Sequence, residues 1–278
     1  MNLTSFKKEL FGKEIEIIIY DVDIEIARDI IEEAYKEALR LQKKFNFFDG
    51  ESELSILNKK RKLKVSDELL KVIKRGLEFS KITNGKYDIA IGKRILQRKT
   101  GLEETEESSY KDIEINGNDI TLKREAMIDL GSIAKGYITD RIADFLKSKG
   151  VENFIIDSRG DIIAYGNYEY LVEIQHPRKK NEKFYRIKIK NGAVATSGDY
   201  NQFYGNFEKS HIINSGEIIS LTVVANTLEE ADVYSTALFV ADEEIREKMI
   251  KNNKGVKVLM IMKDLKSKAY NKFKDLIK

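Results

Sequence analysis

Residues 153–174, NFIIDSRGDIIAYGNYEYLVEI, decide the fold. Three apolar runs, Asn153 to Asp157, Asp161 to Gly166 and Tyr170 to Ile174, each read as a strand. Only three residues separate one run from the next. A gap that short cannot hold a crossover connection, so consecutive strands must pair antiparallel. The same grammar continues downstream, where Phe184 to Lys190 is a strand, Asn191-Gly192 a turn, and Ala193 to Thr196 the next strand. Upstream, Ile113, Ile115, Ile120 and Leu122 flank Asn116-Gly117-Asn118, a further hairpin.

Helices are interleaved with these strands. A strand at Glu14 to Tyr20 precedes apolar residues at helical spacing (Ile26, Ile30, Ile31, Ala34, Ala38, Leu41), which predict a long amphipathic helix over Val22 to Phe45. Phe45 to Asn58 reads as a loop and short helix. Ser66 to Thr83 reads as a helix with Ser66 as N-cap and Asn84-Gly85 as its stop. Met127 to Leu130 is expected as a short strand ending at Gly131, and Ile133 to Lys149 as a helix closed by Gly150. Ser220 to Ala225 and Gly255 to Met262 complete the strands. Leu228 to Ala241 is a helix capped by Thr227 in a Thr-x-x-Glu pattern. The lysine-rich end, Lys263 to Lys278, is expected as the solvated face of a terminal helix. Short turns between strands, with helices interspersed, imply an α+β fold with mixed, largely antiparallel sheets. The single proline and the lack of a Pro-, Gly- or Ser-rich linker imply one compact domain over residues 1–278.

Composition narrows the chemistry. Of 278 residues, 49 are Lys or Arg and 46 Asp or Glu, a net +3 that gives no reason to expect a nucleic-acid partner. Cysteine is absent, which excludes disulfides, thiolate metal sites and a cysteine nucleophile. With two histidines, a three-histidine metal site is excluded as well, so any metal is held mainly by oxygen and is a hard ion. No apolar run approaches the roughly 20 residues of a membrane span. The start of the chain has no apolar stretch of signal-peptide type, so a cytoplasmic location is expected, or an exported one if a leader precedes this sequence.

Three segments place small or polar residues where a core would want bulk. In Asp129-Leu-Gly-Ser-Ile-Ala-Lys-Gly-Tyr137 a strand ends, a glycine turn follows and a helix begins. Backbone N–H groups at such a helix start suit a phosphate, with Lys135 as an added point charge; an ordinary strand-to-helix turn reads the same way. Ala195-Thr-Ser-Gly-Asp-Tyr200 offers two hydroxyls at a strand end, and His211 follows in a short apolar stretch, where a packed core histidine is the plain alternative to a base. In Glu230-Ala-Asp-Val-Tyr-Ser-Thr-Ala237, Asp232 and Thr236 share a helix face and could ligate magnesium. The plain alternative is a carboxylate complementing the helix start. Glu229 and Glu230 already fill that role, and a buried Asp232 needs a partner.

In this order the segments resemble the FAD:protein FMN transferases, the ApbE-like family. The resemblance rests on Asp129 to Tyr137, Ala195 to Tyr200, His211 to Asn214 and Ala231 to Ala237. It is joined by Ser52-Glu-Leu-Ser-Ile-Leu-Asn58 and Gly85-Lys-Tyr-Asp-Ile-Ala-Ile-Gly92. Six blocks in register extend from about Phe11 to Ala241. The resemblance implies two related α/β lobes with FAD between them, and magnesium-dependent transfer of FMN from FAD to a Ser or Thr hydroxyl of an acceptor flavoprotein, releasing AMP. It implies an acceptor sequence of the type Asp-x-x-Ser/Thr-Gly-Ala-Ser/Thr, in a redox-pump subunit or a flavin reductase. By position it assigns the Ala134 carbonyl, Asp232 and Thr236 to magnesium, and Lys135 to the pyrophosphate. Asp88 falls to the adenosine end of FAD, Thr196, Ser197 and Ile213 to the flavin pocket, and His211 to the base. A magnesium-dependent FAD pyrophosphatase and a non-catalytic FAD-binding protein would need much the same grip. Departures from the family pattern fall at Asn214-Ser215 (Asp-Pro in the family), Ser158-Arg159 (Gly-Gly) and Phe11-Gly12-Lys13 (Met-Gly-Thr).

Overall fold

The computed structural model describes residues 3–102, 108–199 and 217–278. His211, Ile213 and Asn214 therefore lie outside the described residues. The chain divides into two compact units, Met1–Leu39 with Lys135–Lys278, and Arg40–Ala134.

The first unit is organised by an eight-stranded sheet. In chain order its strands are β1 (Leu3–Leu10), β2 (Lys13–Tyr20), β6 (Phe154–Ser158), β7 (Asp161–Tyr165), β10 (Gly192–Gly198), β11 (Ile218–Ala225), β12 (Lys257–Met262) and β13 (Ser267–Tyr270), and they lie side by side in that order. Every pairing is antiparallel. Short turns impose this between β1 and β2, β6 and β7, and β12 and β13; the other neighbours are joined by longer connections. Phe11 and Gly12 both take positive φ (57° and 69°) to join β1 to β2, and Arg159 and Gly160 do the same (64° and 92°) between β6 and β7. Two consecutive left-handed residues are the hairpin turn whose twist matches its strands. A separate hairpin of β8 (Tyr170–Gln175) and β9 (Lys183–Ile189) packs Tyr170, Val172, Ile174, Ile187 and Ile189 into one apolar cluster with Val194, Val224 and Leu259 of the large sheet.

β11 is buried at all eight positions, as a central strand covered on both faces must be. Helix α6 (Leu228–Val240) packs against β10 and β11. Its N-cap is Thr227, whose hydroxyl accepts from the Glu230 N–H. Helix α5 (Ala134–Ser148) lies against the start of α6, and Gly136 permits the approach: a Cβ there would sit 2.6 Å from the Leu228 carbonyl oxygen.

The second unit contains a three-stranded antiparallel sheet, in the order β3 (Lys62–Lys64), β5 (Asp119–Leu122), β4 (Ile113–Asn116), with helices α2 (Glu53–Lys60), α3 (Asp67–Ile82) and α4 (Gly92–Thr100). The hairpin at Asn116-Gly117-Asn118 and the Ser66 cap of α3 form as expected. The long helix α1 spans Ile24–Phe45 and buries Ala27, Ile31, Ala34, Ala38 and Leu41, one face at helical spacing.

Three expectations require correction. The short links from β7 to β8 and from β9 to β10 do not pair those strands: β8 and β9 pair with each other, and β7 pairs with β10, because the β8–β9 hairpin leaves the large sheet and packs against it. Met127 to Leu130 is not a ladder strand. It makes one parallel bridge, Met127 with Ile91, and the Asn58 side chain takes the place of a neighbouring strand. Its amide donates to the Ile128 carbonyl and its oxygen accepts the Ile128 N–H, both at 2.8 Å. Nor is the C-terminus a helix. Left-handed residues at Leu265, Asn271 and Lys272 interrupt it, leaving β13 at the sheet edge and a 3-10 turn over Phe273–Leu276. Phe273 is fully buried. The Asn271 amide donates to the carbonyls of Ile250, Asn253 and Val256, which ties this end to the turn after α7 (Glu243–Asn252).

Gly166 tests the geometry of the chain as it leaves β7. It adopts φ +115°, and a Cβ would meet the Asn153 side-chain oxygen at 2.3 Å. Gly166→Ala should lower stability by about 1–3 kcal/mol, measured as a shift of the urea midpoint at constant slope. An unmoved midpoint would contradict the geometry.

Candidate functional site

Lys135 occupies the first turn of α5, where the helix dipole disfavours a cation. Its compensation comes from within the chain. The ammonium is paired with the carboxylate of Asp161, at the start of β7, and lies 3.8 Å from that of Asp232 on α6. Both carboxylates are nearly buried, Asp161 at 5% exposure and Asp232 at 6%. Asp161 also accepts the backbone N–H of Thr196 at 3.2 Å, two residues beyond the end of β10's pairing with β7 at Val194. Asp232 accepts the Gly136 N–H at 3.2 Å. Burial pushes the Asp232 carboxyl above its ordinary value, while Lys135 and the Gly136 N–H pull the other way. Ionised, the two carboxylates outnumber the ammonium, so the cluster is one positive charge short.

Hydroxyls line one side of this cluster. Ser197 lies 2.9 Å from the Ser235 hydroxyl and 3.2 Å from that of Thr236. Thr236 follows Asp232 by one helical turn, as its spacing implied. Thr196 and Ser197 point to opposite faces of β10, because side chains alternate along a strand. Ser197 faces α6, whereas the Thr196 hydroxyl pairs with Thr222 at 2.9 Å on the other face. Of the expected site residues, Lys135, Ser197, Asp232 and Thr236 are thus brought together.

The others lie elsewhere. Ala134 closes the second unit and opens α5; its N–H donates to the Leu130 carbonyl. Asp88 belongs to the second unit, where it accepts the N–H groups of Ala90 (2.7 Å) and Tyr110 (2.9 Å), and burial raises its carboxyl above the ordinary range. Among the described residues no group of three His, Cys, Asp or Glu could by itself hold a metal ion.

Two acidic residues escaped the sequence reading. Asp161 was visible as the last residue of the Ser158-Arg-Gly-Asp161 turn, an acid opening an otherwise apolar strand. Asp140 lies on the buried side of α5 and accepts the N–H groups of Leu228 and Glu229, both at 2.8 Å. Burial pushes its carboxyl up to about 6, against those two hydrogen bonds.

Residues 11–260 match the ApbE family. The chain belongs to that family. Among its relatives is a protein of Vibrio cholerae named FAD:protein FMN transferase, 29% identical over 248 residues that cover 77% of this chain and 73% of that one. A Haemophilus influenzae protein of the same name is 27% identical over 273 residues, covering 84% and 79%. Two solved structures share the fold. The ApbE protein of Thermotoga maritima superposes with a TM-score of 0.87 at 23% identity, covering all of both chains. The flavin transferase ApbE of Vibrio cholerae gives 0.83 at 24% identity, covering 99% of each. The α+β architecture inferred from the hairpins is the family fold.

Lys135→Met would leave two buried carboxylates without their cation. It should destabilise the protein by about 3 kcal/mol at pH 7. Without the ammonium the folded-state pKa of Asp232 rises further above its unfolded value. The stability deficit should therefore be greatest above that folded pKa and shrink as pH falls towards about 4. Denaturant melts of parent and variant at both pH values decide this, and a deficit independent of pH would argue against the pairing.

Proposed function

We propose that this chain transfers FMN from FAD to a Ser or Thr hydroxyl of an acceptor flavoprotein, releasing AMP. Family membership and the names of its relatives support the reading. The observation that carries it is the charge-deficient cluster of Lys135, Asp161 and Asp232, with the Ser197 and Thr236 hydroxyls beside it.

The donor set suits magnesium. Asp232 is a buried carboxylate that accepts one backbone hydrogen bond and retains spare lone pairs, and Thr236 presents a hydroxyl on the same helix face. Magnesium is commonly held by one or two carboxylates, with waters and substrate phosphates completing its shell. The absence of a larger acidic cluster among the described residues is compatible with that habit. Asp232 and Thr236 would hold the ion, and the Ala134 carbonyl is the further donor implied by the family. The ion would supply neutralisation of phosphate oxygens.

The remaining work falls to this chain's residues. Lys135 turns its ammonium from the carboxylates to the pyrophosphate and offsets the oxygen charge that builds as the bridge breaks. The acceptor hydroxyl oxygen bonds to the FMN phosphorus, the bond from that phosphorus to the AMP oxygen breaks, and AMP leaves. His211 takes the hydroxyl proton, and Ile213 and Ser197 contact the flavin. The acceptor carries an Asp-x-x-Ser/Thr-Gly-Ala-Ser/Thr type sequence and is a redox-pump subunit or a flavin reductase. Among the described residues no helix is long and apolar enough to cross a membrane.

Incubation with FAD, magnesium and an acceptor domain tests the reading, with products resolved by mass spectrometry. Covalent FMN on the acceptor is expected. Free FMN and AMP without labelled acceptor would indicate a pyrophosphatase, and unchanged FAD a binding protein. Asp232→Ala should reduce transfer by about a hundredfold or more while the variant still binds FAD. Transfer at the parent rate with the parent's magnesium dependence would refute the role of Asp232.

A further inference from the structure

Helices α5 and α6 each supply a carboxylate to the first turn of the other. Asp140 of α5 accepts the N–H groups of Leu228 and Glu229, the first two residues of α6, at 2.8 Å each. In return, Asp232 of α6 accepts the N–H of Gly136, in the first turn of α5, at 3.2 Å. The first N–H groups of a helix have no partner within it. Thr227 serves the Glu230 N–H, and Asp140 serves the two before it. The close approach at Gly136 leaves no room for a side chain between the helices, where the Leu228 oxygen and Glu229 Cα would lie 2.6 and 2.8 Å from a Cβ.

The arrangement fixes more than a helix end. Two hydrogen bonds from adjacent N–H groups to the two oxygens of one carboxylate constrain both the position and the rotation of α6. Asp232 sits about one turn further along and Thr236 about two. The hydrogen bonds of Asp140 go to the Leu228 and Glu229 N–H groups and not to the side chains of Asp232 or Thr236. Its neighbours explain why a carboxylate is used: with two acceptor oxygens it satisfies both N–H groups, whereas an amide would turn an NH2 towards one of them.

We propose that Asp140 is a positioning residue for the metal site, setting where Asp232 and Thr236 stand relative to Lys135. The proposal rests on the reading of Asp232 and Thr236 as magnesium ligands. A carboxylate that orients a metal ligand through intervening structure tunes the affinity of the metal more than that of the organic substrate.

The test is Asp140→Asn, with Asp232→Asn as control. Magnesium is titrated by calorimetry into FAD-bound protein without acceptor, FAD affinity is measured in EDTA, and the magnesium dependence of transfer is recorded. Asp140→Asn should weaken magnesium binding about tenfold and raise the half-saturating magnesium concentration to match, with FAD affinity unchanged. Unchanged magnesium affinity in Asp140→Asn, or an equal loss of FAD affinity, would overturn the proposal. Asp232→Asn separates the two readings. If it abolishes magnesium binding, a null result at position 140 refutes the positioning role alone; if it binds magnesium like the parent, the ligand assignment falls and the proposal with it. A measurement on the parent covers the case in which Asp140→Asn does not fold. Magnesium added to the FAD-bound protein should shift the amide NMR resonances of both Leu228 and Glu229, and resonances that stay in place would overturn the proposal.

Discussion

The site of the first unit depends on one interaction, the ammonium of Lys135 held between the nearly buried carboxylates of Asp161 and Asp232. Burying two acids against one base is costly unless the remaining charge is met. The fold meets part of it with backbone N–H groups, from Thr196 to Asp161 and from Gly136 to Asp232. Each acid comes from a different element, so the cluster requires the start of β7, the first turn of α5 and the body of α6 to converge. The rest of the unit serves that convergence. The antiparallel order places β7 beside β10 and β10 beside β11, and α6 packs over the last two.

The same cluster changes the meaning of Lys135. A lysine in the first turn of a helix suggested an anionic partner, and a phosphate was the natural candidate. Within the chain the partners are carboxylates. On the proposed function the counter-ions would be exchanged: Lys135 would turn to the pyrophosphate, Asp232 would hold magnesium, and Asp161 would keep the Thr196 N–H as its described partner.

Much of the fold was legible because turns and caps are local. Asn116-Gly117-Asn118, Ser66 and Thr227 each act within a few residues, and each does what its chemistry predicts. The misreadings arose where distant residues decide. Met127 to Leu130 reads as a strand from its apolar residues, but Asn58, 70 positions from Ile128, supplies the hydrogen bonds a neighbouring strand would. The C-terminal lysines suggested a helix, but Asn271 binds three carbonyls of the preceding segment and holds the chain in a turn. At the site, Asp232 with Thr236 was readable from spacing on a single helix. The roles of Asp161 and Asp140 were not, since their partners lie 26 and 88 positions away. The family blocks also divide by role. Ser52 caps α2 and Asn58 braces a loop, both structural duties, whereas Lys135, Ser197, Asp232 and Thr236 converge on the charged cluster.

The proposed function requires that a divalent ion and a pyrophosphate meet at this cluster. An anomalous difference map from crystals grown with FAD and manganese, as a heavier substitute for magnesium, addresses it directly. A peak is expected about 2.0–2.3 Å from a carboxylate oxygen of Asp232, with the Thr236 hydroxyl in the same shell and the Lys135 ammonium turned to a pyrophosphate oxygen. A peak bound elsewhere, with Lys135 still between Asp161 and Asp232 while FAD is present, would contradict it.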